Sequence, residues 1–439
     1  MTIPELRRSA EEIWQAALAA ARPETCMRKT LRVAPDAFTV GGQEFSLTGR
    51  LIVIGAGKAG AAMAQAAERL FGDRISAGLV ITKYGHRLPT GRIEVLEAGH
   101  PVPDEAGQRA VLRLREVLRG LGPDDVVLCL ISGGGSALLP APAAGITLAE
   151  KQEVTSALLR SGATIRELNA VRKHLSAIKG GQLAGWAAPA EVVSLIMSDV
   201  IGDPLDFIAS GPTAPDTSTF RDAAGVLRKY GCRAPASVEA RLGAGVRGEI
   251  RETPKEGDPV FGRVANHIVA NNRLLVESAR ERAQDLGFRT IVLTSELEGE
   301  ARDIGRVFAA VAREIGSSGN PLGPPACVLA AGETTVTVRG NGAGGRNLEM
   351  ALAWALAMRE SREAVCFASI ASDGTDGPTD SAGGLVDPTT CRRAAAMGLE
   401  GARSLEENDS FGFLHAVGDA VMTGPTQTNL MDLQILLAG

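Results

Sequence analysis

The sequence predicts an α/β protein of two domains, and three observations predict it. Short apolar runs, among them Leu51–Gly55, Val126–Ile131, Val192–Met197, Val328–Ala330 and Val365–Ser372, are each followed by a turn rich in glycine or acids. Continuous apolar runs of this length describe strands buried on both faces, as in a parallel sheet covered by helices. Amphipathic segments alternate with them, which is the pattern of βαβ units. At 439 residues the chain is also too long for one ordinary core. We therefore expect an N-terminal α/β domain over 1–245, a charged, glycine-rich linker over 246–262 and a second α/β domain over 263–439.

Composition narrows the function. Apolar residues make up 45% and charged residues 22% of the chain, which describes a compact globular protein. A net charge of −5 without a strongly basic face argues against nucleic acid as the main partner. No apolar run approaches the roughly 20 residues that cross a bilayer, so no membrane partner is expected. The six cysteines are scattered without paired spacing, as suits packed thiols in a reducing cytoplasm. Fifty-two glycines follow no collagen-like period and gather at strand-to-helix junctions, where exposed N–H groups can meet an anion.

Taken in order, residues 5–20 form a helix with Leu6, Ile13, Trp14, Ala17 and Leu18 on one face. Leu51–Gly60 opens a βαβ unit whose turn, Gly55-Ala-Gly57-Lys58-Ala-Gly60, matches the dinucleotide fingerprint by spacing. That fingerprint wants an acid at the end of the second strand, and this chain has Lys83 there. Lys58, at a helix start beside glycines, can reach a phosphate or a carboxylate. His100 stands between a glycine and a proline and reads as structural. Ser132-Gly133-Gly134-Gly135-Ser136 follows the buried strand Val126–Ile131 and forms a nest for an anionic group. Residues 165–184 read as one helix with Asn169, Arg172 or Lys173, Ser176, and Lys179 or Gly180 on one side; such a stripe suits an anionic cleft. Asp199 and Asp203, after the strand Val192–Met197, can share a hard cation such as Mg²⁺, or one of them can cap the next short helix.

The second half centres on 328–356. Thr335–Val338 has strand composition, Arg339–Gly345 reads as a flexible loop, and Arg346-Asn347 open an amphipathic helix. Glu333, Arg346 and Asn347 thus gather beside a glycine loop that suits a phosphorylated or carboxylated ligand. Asp373, Asp376 and Asp380 follow the strand Val365–Ser372 in a spacing that is not an EF-hand but can bind Mg²⁺ or a hydroxyl.

Across these motifs the chain resembles the class II glycerate kinases of the MOFRL type, a family also labelled hydroxypyruvate reductase. The resemblance rests on GAGKAG (55–60), SGGGSALL (132–139), LNAVRKHLSAIKGGQLA (168–184), SDVIGD and SGPT (198–213), AAGETTVTVRGNGAGGRN (330–347), SDGTDGPTDSAGG (372–384) and TGPTQTN (423–429). It implies ATP-dependent phosphorylation of D-glycerate at its 2-hydroxyl, giving 2-phosphoglycerate and ADP with Mg²⁺. It also implies a cleft between a Rossmann-like N-terminal domain and a smaller C-terminal α/β domain. Gln427 departs from the family pattern, where glycine is expected.

On this reading Ser132–Ser136, with Glu333 and Asn347, hold the nucleotide, and Lys58 and Arg346 bring positive charge to the transferring group or the glycerate carboxylate. Asn169 and Lys173 contribute to substrate binding. Asp199 or Asp203, with Asp373 or Asp376, hold Mg²⁺ or orient the acceptor hydroxyl, and Asp199 is counted with Lys58 and Arg346 as catalytic. Two rivals stand beside it. An NAD(P)H-dependent hydroxypyruvate reductase would use Gly55–Gly60, against which Lys83 and the additional phosphate-type loops weigh. A non-catalytic sensor of sugar acids or nucleotides would have little use for so many loop acids.

Overall fold

A computed structural model describes residues 1–439. The chain divides into two compact units, one of Cys26–Val269 and one that joins Met1–Thr25 to Ala270–Gly439. Neither boundary falls where sequence alone draws it. The expected linker lies inside the first unit, because the strand Val264–Ala270 beyond it is the edge of that unit's sheet. The N-terminal helix Ile3–Ala21 belongs to the second unit, where it packs on the helix Asn272–Asp285. Its buried stripe of Leu6, Ile13 and Ala17 finds an apolar partner there.

The unit Cys26–Val269 carries a six-stranded sheet. Across it run Ile93–Ala98, Ile75–Lys83, Leu51–Ala56, Val126–Ile131, Glu191–Met197 and Val264–Ala270, and the first five pair in parallel. Numbered along the chain, the strand order is the 3-2-1-4-5-6 of a doubly wound dinucleotide-binding sheet, so the Rossmann-like expectation holds. Side chains of alternate parity cover its two faces. Ile52, Ile54, Val127, Cys129 and Ile131 share one core with Ala110, Val111 and Leu114 of the helix Glu105–Val117. Val53, Val80, Leu128 and Leu130, of opposite parity, are buried on the other face. A second apolar cluster joins the helices Leu148–Arg160, Ile165–His174 and Phe220–Lys229 through Leu158, Leu168, Val171, Phe220 and Leu227.

The expected single helix over 165–184 is two. Ile165–His174 stops at Leu175, and Gln182–Ala187 begins after Gly180 and Gly181, both at positive φ (60° and 82°). Between them Ser176 forms a lone bridge to Pro142, so the polar stripe does not continue along one face.

The other unit has a mixed sheet ordered Arg289–Leu297, Ala326–Gly332, Asp432–Ala438, Val365–Ala371, Gly383–Val386 and Ala420–Val421. The C-terminal strand enters antiparallel between Ala326–Gly332 and Val365–Ala371, with Asp432 in register with Gly332 and with Ala371. Helices cover both faces: Ile3–Ala21 and Asn272–Asp285 on one, Ala301–Ser318 and Arg346–Met358 on the other. Thr335–Val338 is not a strand. It makes one isolated bridge, Thr335 to Glu300, and the Glu300 carboxylate takes the Thr337 N–H and hydroxyl (both 3.0 Å) in place of a partner strand. No helix is long and apolar enough to cross a membrane.

The core of this unit centres on Phe367, whose ring lies 5.7 Å from Trp354 and 5.1 Å from Phe308. Phe367→Ala is expected to cost about 3–5 kcal/mol, read as a lowered urea midpoint. A change below about 1 kcal/mol would mean the cluster is not the unit's core.

Candidate functional site

In the unit Cys26–Val269, strand order reverses between Leu51–Ala56 and Val126–Ile131. The loops leaving their carboxyl ends flank the crevice where open α/β sheets bind ligands. Those loops are Gly57-Lys58 and Ser132–Gly135, and they interlock. The Lys58 N–H donates to the Gly133 carbonyl (2.8 Å) and the Ala59 N–H to Ser132 Oγ (3.1 Å). The Thr82 hydroxyl donates to the Gly57 carbonyl (3.1 Å). Gly57 is obligatory: at φ +148° a Cβ would sit 2.0 Å from Ser132 Oγ. A Cβ on Gly134, also at positive φ (+83°), would lie 2.9 Å from His100 and 3.4 Å from the Lys58 side chain. Lys58, His100 and the glycine turn therefore converge. Gly133 and Gly134 keep their N–H groups out of these loop bonds, which leaves them for an anion.

The two serines separate in role. Ser132, expected to offer its hydroxyl to phosphate, is buried and spends it on Ala59. Ser136 joins a directed chain: Lys179 Nζ donates to Ser136 Oγ (3.1 Å) and the Ser136 carbonyl (2.6 Å), Ser136 Oγ meets Ser210 Oγ (2.8 Å), and Ser210 donates to Asn169 Oδ1 (3.0 Å). Asn169 thus anchors the chain from its buried end rather than facing a substrate.

Lys173, expected to bind substrate, is tied up inside the fold. It is 2% exposed, with Nζ 3.2 Å from Asp206 and 3.1 Å from Asp216. Asp216 also takes the Thr253 hydroxyl (2.8 Å), and the Lys173 ammonium holds its pKa down against burial. A cation so neutralised ties two loops together and is unavailable to a ligand. Lys173→Met is expected to destabilise by about 3–5 kcal/mol, because it strands Asp216; urea unfolding checks this.

Asp199 and Asp203 lie on the turn after Glu191–Met197, both partly exposed, and the Asp203 N–H closes the turn onto the Val200 carbonyl (3.1 Å). Asp203 holds φ +55°, a conformation costly for a non-glycine residue and common near functional sites.

In the other unit the register around Asp432 builds the site. Arg346, at the start of its helix, donates from Nε (2.5 Å) and Nη2 (2.9 Å) to the two oxygens of buried Asp432, and its Nη1 lies 3.1 Å from Glu333. This planar fork fixes the guanidinium. Asp432 and then Glu333 raise its pKa against the opposing effect of burial.

Asn347 and Asp376, expected to touch nucleotide and metal, are spent inside the fold. Asp376 accepts from the N–H groups of Asn347 (3.2 Å) and Leu348 (2.8 Å), capping the helix, and from Asn347 Nδ2 (3.3 Å). Buried Asn347 also accepts the Ser369 hydroxyl (2.6 Å). Asp373 accepts the N–H (3.0 Å) and hydroxyl (3.1 Å) of Thr375. The loop 339–345 is not a nest. Asn408 Oδ1 takes the N–H groups of Arg339 (2.7 Å) and Gly340 (2.9 Å), and its glycines permit close approach: a Cβ on Gly345 would sit 2.3 Å from Asp376. Gln427 holds φ +62°, the region where glycine is the unstrained residue.

Nowhere do three or more His, Cys, Asp or Glu side chains gather to enclose a metal. Mg²⁺ needs no such cage, since one or two carboxylates with water and phosphate oxygens complete its octahedron. By donor chemistry Asp199 and Asp203 fit that partial role. Asp376, with both oxygens on backbone N–H groups, does not.

Burial raises the Asp376 pKa to about 7. Its folded value lies above the unfolded one, near 3.9, so its contribution to stability is present in full below about pH 4 and is lost as pH rises toward 7. Asp376→Asn is therefore expected to gain on wild type between pH 4 and 7 in urea midpoints. A constant difference would place the shift elsewhere.

Two family models match the chain, the first beginning within the N-terminal helix that packs with the other unit. A domain of unknown function, DUF4147, matches residues 9–243, and the MOFRL family matches residues 326–432. D-glycerate 2-kinase of Thermotoga maritima is 43% identical over 98% of this chain and 98% of its own. A protein of Agrobacterium vitis provisionally named hydroxypyruvate reductase is 44% identical over 99% of this chain and 94% of its own. Among solved structures, a glycerate kinase from Thermotoga maritima superposes with a TM-score of 0.87 at 42% identity, covering 99% of this chain and 100% of that one.

Proposed function

Because the chain belongs to the MOFRL-type glycerate 2-kinase family and phosphorylates glycerate, we propose that ATP is the donor, that the 2-hydroxyl of D-glycerate is the acceptor, and that 2-phosphoglycerate and ADP are released. The observation that carries the nucleotide assignment is the interlocked pair of switch-point loops, with Lys58 converging on Gly134. Phosphoryl transfer asks a protein mainly to position its reactants and neutralise charge. The N–H groups of Gly133 and Gly134 donate to phosphate oxygens, and the Lys58 ammonium meets the charge that builds on the transferring group. Arg346, held rigid by Asp432, offers its outward edge to the phosphoryl group or the glycerate carboxylate, and Glu333 at that edge is displaced or bridged as the anion arrives. Asp199 and Asp203 would hold Mg²⁺, which when bound neutralises phosphate oxygens. Alignment of the acceptor hydroxyl with the transferring phosphoryl group is the main demand of this step. The six free cysteines, four of them buried, suit work in the cytoplasm.

The name shared with hydroxypyruvate reductase gains no support from the site. The strand Ile75–Lys83 ends on a lysine where a dinucleotide ribose wants an acid.

Phosphorus NMR with ATP, Mg²⁺ and D-glycerate, beside an absorbance assay with NAD(P)H and hydroxypyruvate, tests the reading. A growing 2-phosphoglycerate resonance with flat absorbance is expected; NAD(P)H loss without a new phosphate ester would overturn it. Lys58→Met is expected to lower kcat by about 100-fold or more while moving stability by less than about 1 kcal/mol, as the ammonium stands at a helix start. Arg346→Lys keeps charge but loses the fork to Asp432, and should also cost about 100-fold in kcat/KM; wild-type kinetics in that variant would make the arginine structural.

A further inference from the structure

Beside the Gly134 turn lies a cavity of about 340 Å³ whose charged lining is cationic. Lys151, Arg172 and Lys179 line it together with His100, and no carboxylate does. Lys151 is the informative member. It sits on the helix Leu148–Arg160 in the buried stripe Leu148, Lys151, Val154, Leu158, where an apolar side chain would be expected. It is 6% exposed, and its Nζ makes no hydrogen bond. Glu150 of the same helix turns away to Thr147 and Ser237, and Glu153 is exposed. A buried ammonium with no acceptor, facing a cavity beside two further cations, is a costly arrangement that an anion relieves. Burial, reinforced by Arg172, lowers the Lys151 pKa to about 7, and burial with Lys151 and Arg172 holds Lys179 well below its ordinary value.

The lining also chooses among anions. A lone carboxylate balances one of these cations, whereas a phosphate chain can balance all of them. The same cavity has an apolar lip, with Val102 64% and Leu159 55% exposed beside Pro101, Pro103 and Pro140. Large apolar side chains left open at the mouth of a cationic cavity suit a ligand that is apolar at one end and anionic at the other. Ser136 belongs both to this lining and to the hydroxyl chain leading to Ser210, so the cavity is continuous with the glycine turn.

We propose that this cavity is the subsite for the polyphosphate of the donor nucleotide, with Lys151, Arg172 and Lys179 neutralising the phosphates and Val102 and Leu159 flanking the nucleoside. The assignment rests on the kinase reading and adds to it residues that the glycine motif does not contain. Lys151 is here a binding residue whose burial unpaired lowers stability in the empty protein.

Calorimetry at pH 8 with the non-hydrolysable analogue AMP-PNP, in HEPES and in Tris, tests it on wild type, Lys151→Met and Lys151→Arg. Wild type should take up protons on binding, as Lys151 and Lys179 charge against the phosphates. Lys151→Met should take up fewer, bind AMP-PNP roughly tenfold or more weakly, keep the KM for D-glycerate within about twofold and melt at a higher temperature. Lys151→Arg should recover most of the affinity. Unchanged AMP-PNP affinity in Lys151→Met overturns the proposal, as does a loss that falls on D-glycerate instead, or a lower Tm with no change in proton uptake. Binding is read without turnover, so failure of the kinase reading shows separately, as Lys151-dependent AMP-PNP binding in a protein that makes no phosphoglycerate.

Discussion

The close contact between Gly57 and Ser132 is the constraint on which the switch point of the unit Cys26–Val269 depends. Two parallel strands on either side of the switch point must release their chains in almost the same space. They do so because one residue has no side chain and the other spends its hydroxyl on the Ala59 N–H. With Ser132 consumed in this way, the Gly133 and Gly134 N–H groups stay out of the loop hydrogen bonds, and the Lys58 side chain lies beside Gly134. The glycines here do not supply flexibility. They allow a rigid close approach, and rigidity is what a site for phosphoryl transfer needs.

The unit that holds Arg346 solves a comparable problem with charge. A C-terminal strand inserted antiparallel brings Asp432 level with the ends of its two neighbours. Asp432 then orients the guanidinium from behind while Glu333 waits at its exposed edge. Asp376 and Asn347, which look like ligands in the sequence, hold the helix on which Arg346 stands. Each unit thus fixes a cationic side chain or a glycine turn with polar residues packed around it.

Much of the fold was legible because continuous apolar strands and amphipathic helices carry their own period. The parallel βαβ strands and the N-terminal helix, Ile3–Ala21, follow from it, the Gly57 and Gly134 turns were legible from their glycines, and the Rossmann-like order came from the family resemblance. Partnership was not legible. Nothing local says that the first helix joins the unit that ends the chain, or that Lys173 faces Asp206 and Asp216 across its own unit. A polar stripe looks the same whether it meets water or buried carboxylates, so Asn169 and Lys173 read as ligand contacts. Lys151 went unread, although a signal was present: a lysine at an apolar position of a helical stripe. The glycines of 339–345 gave a misleading signal, because close backbone approach and anion binding call for the same residue.

On the proposed reading, the switch-point loops of the unit Cys26–Val269 hold the phosphates of the nucleotide. Amide hydrogen exchange with and without AMP-PNP and Mg²⁺ tests it most directly, because it reads the N–H groups themselves. Protection concentrated in 57–60 and 132–138, with a second patch over 148–160, is the predicted result. Protection confined to other segments, with the amides of Gly133 and Gly134 exchanging as in the free protein, would contradict it.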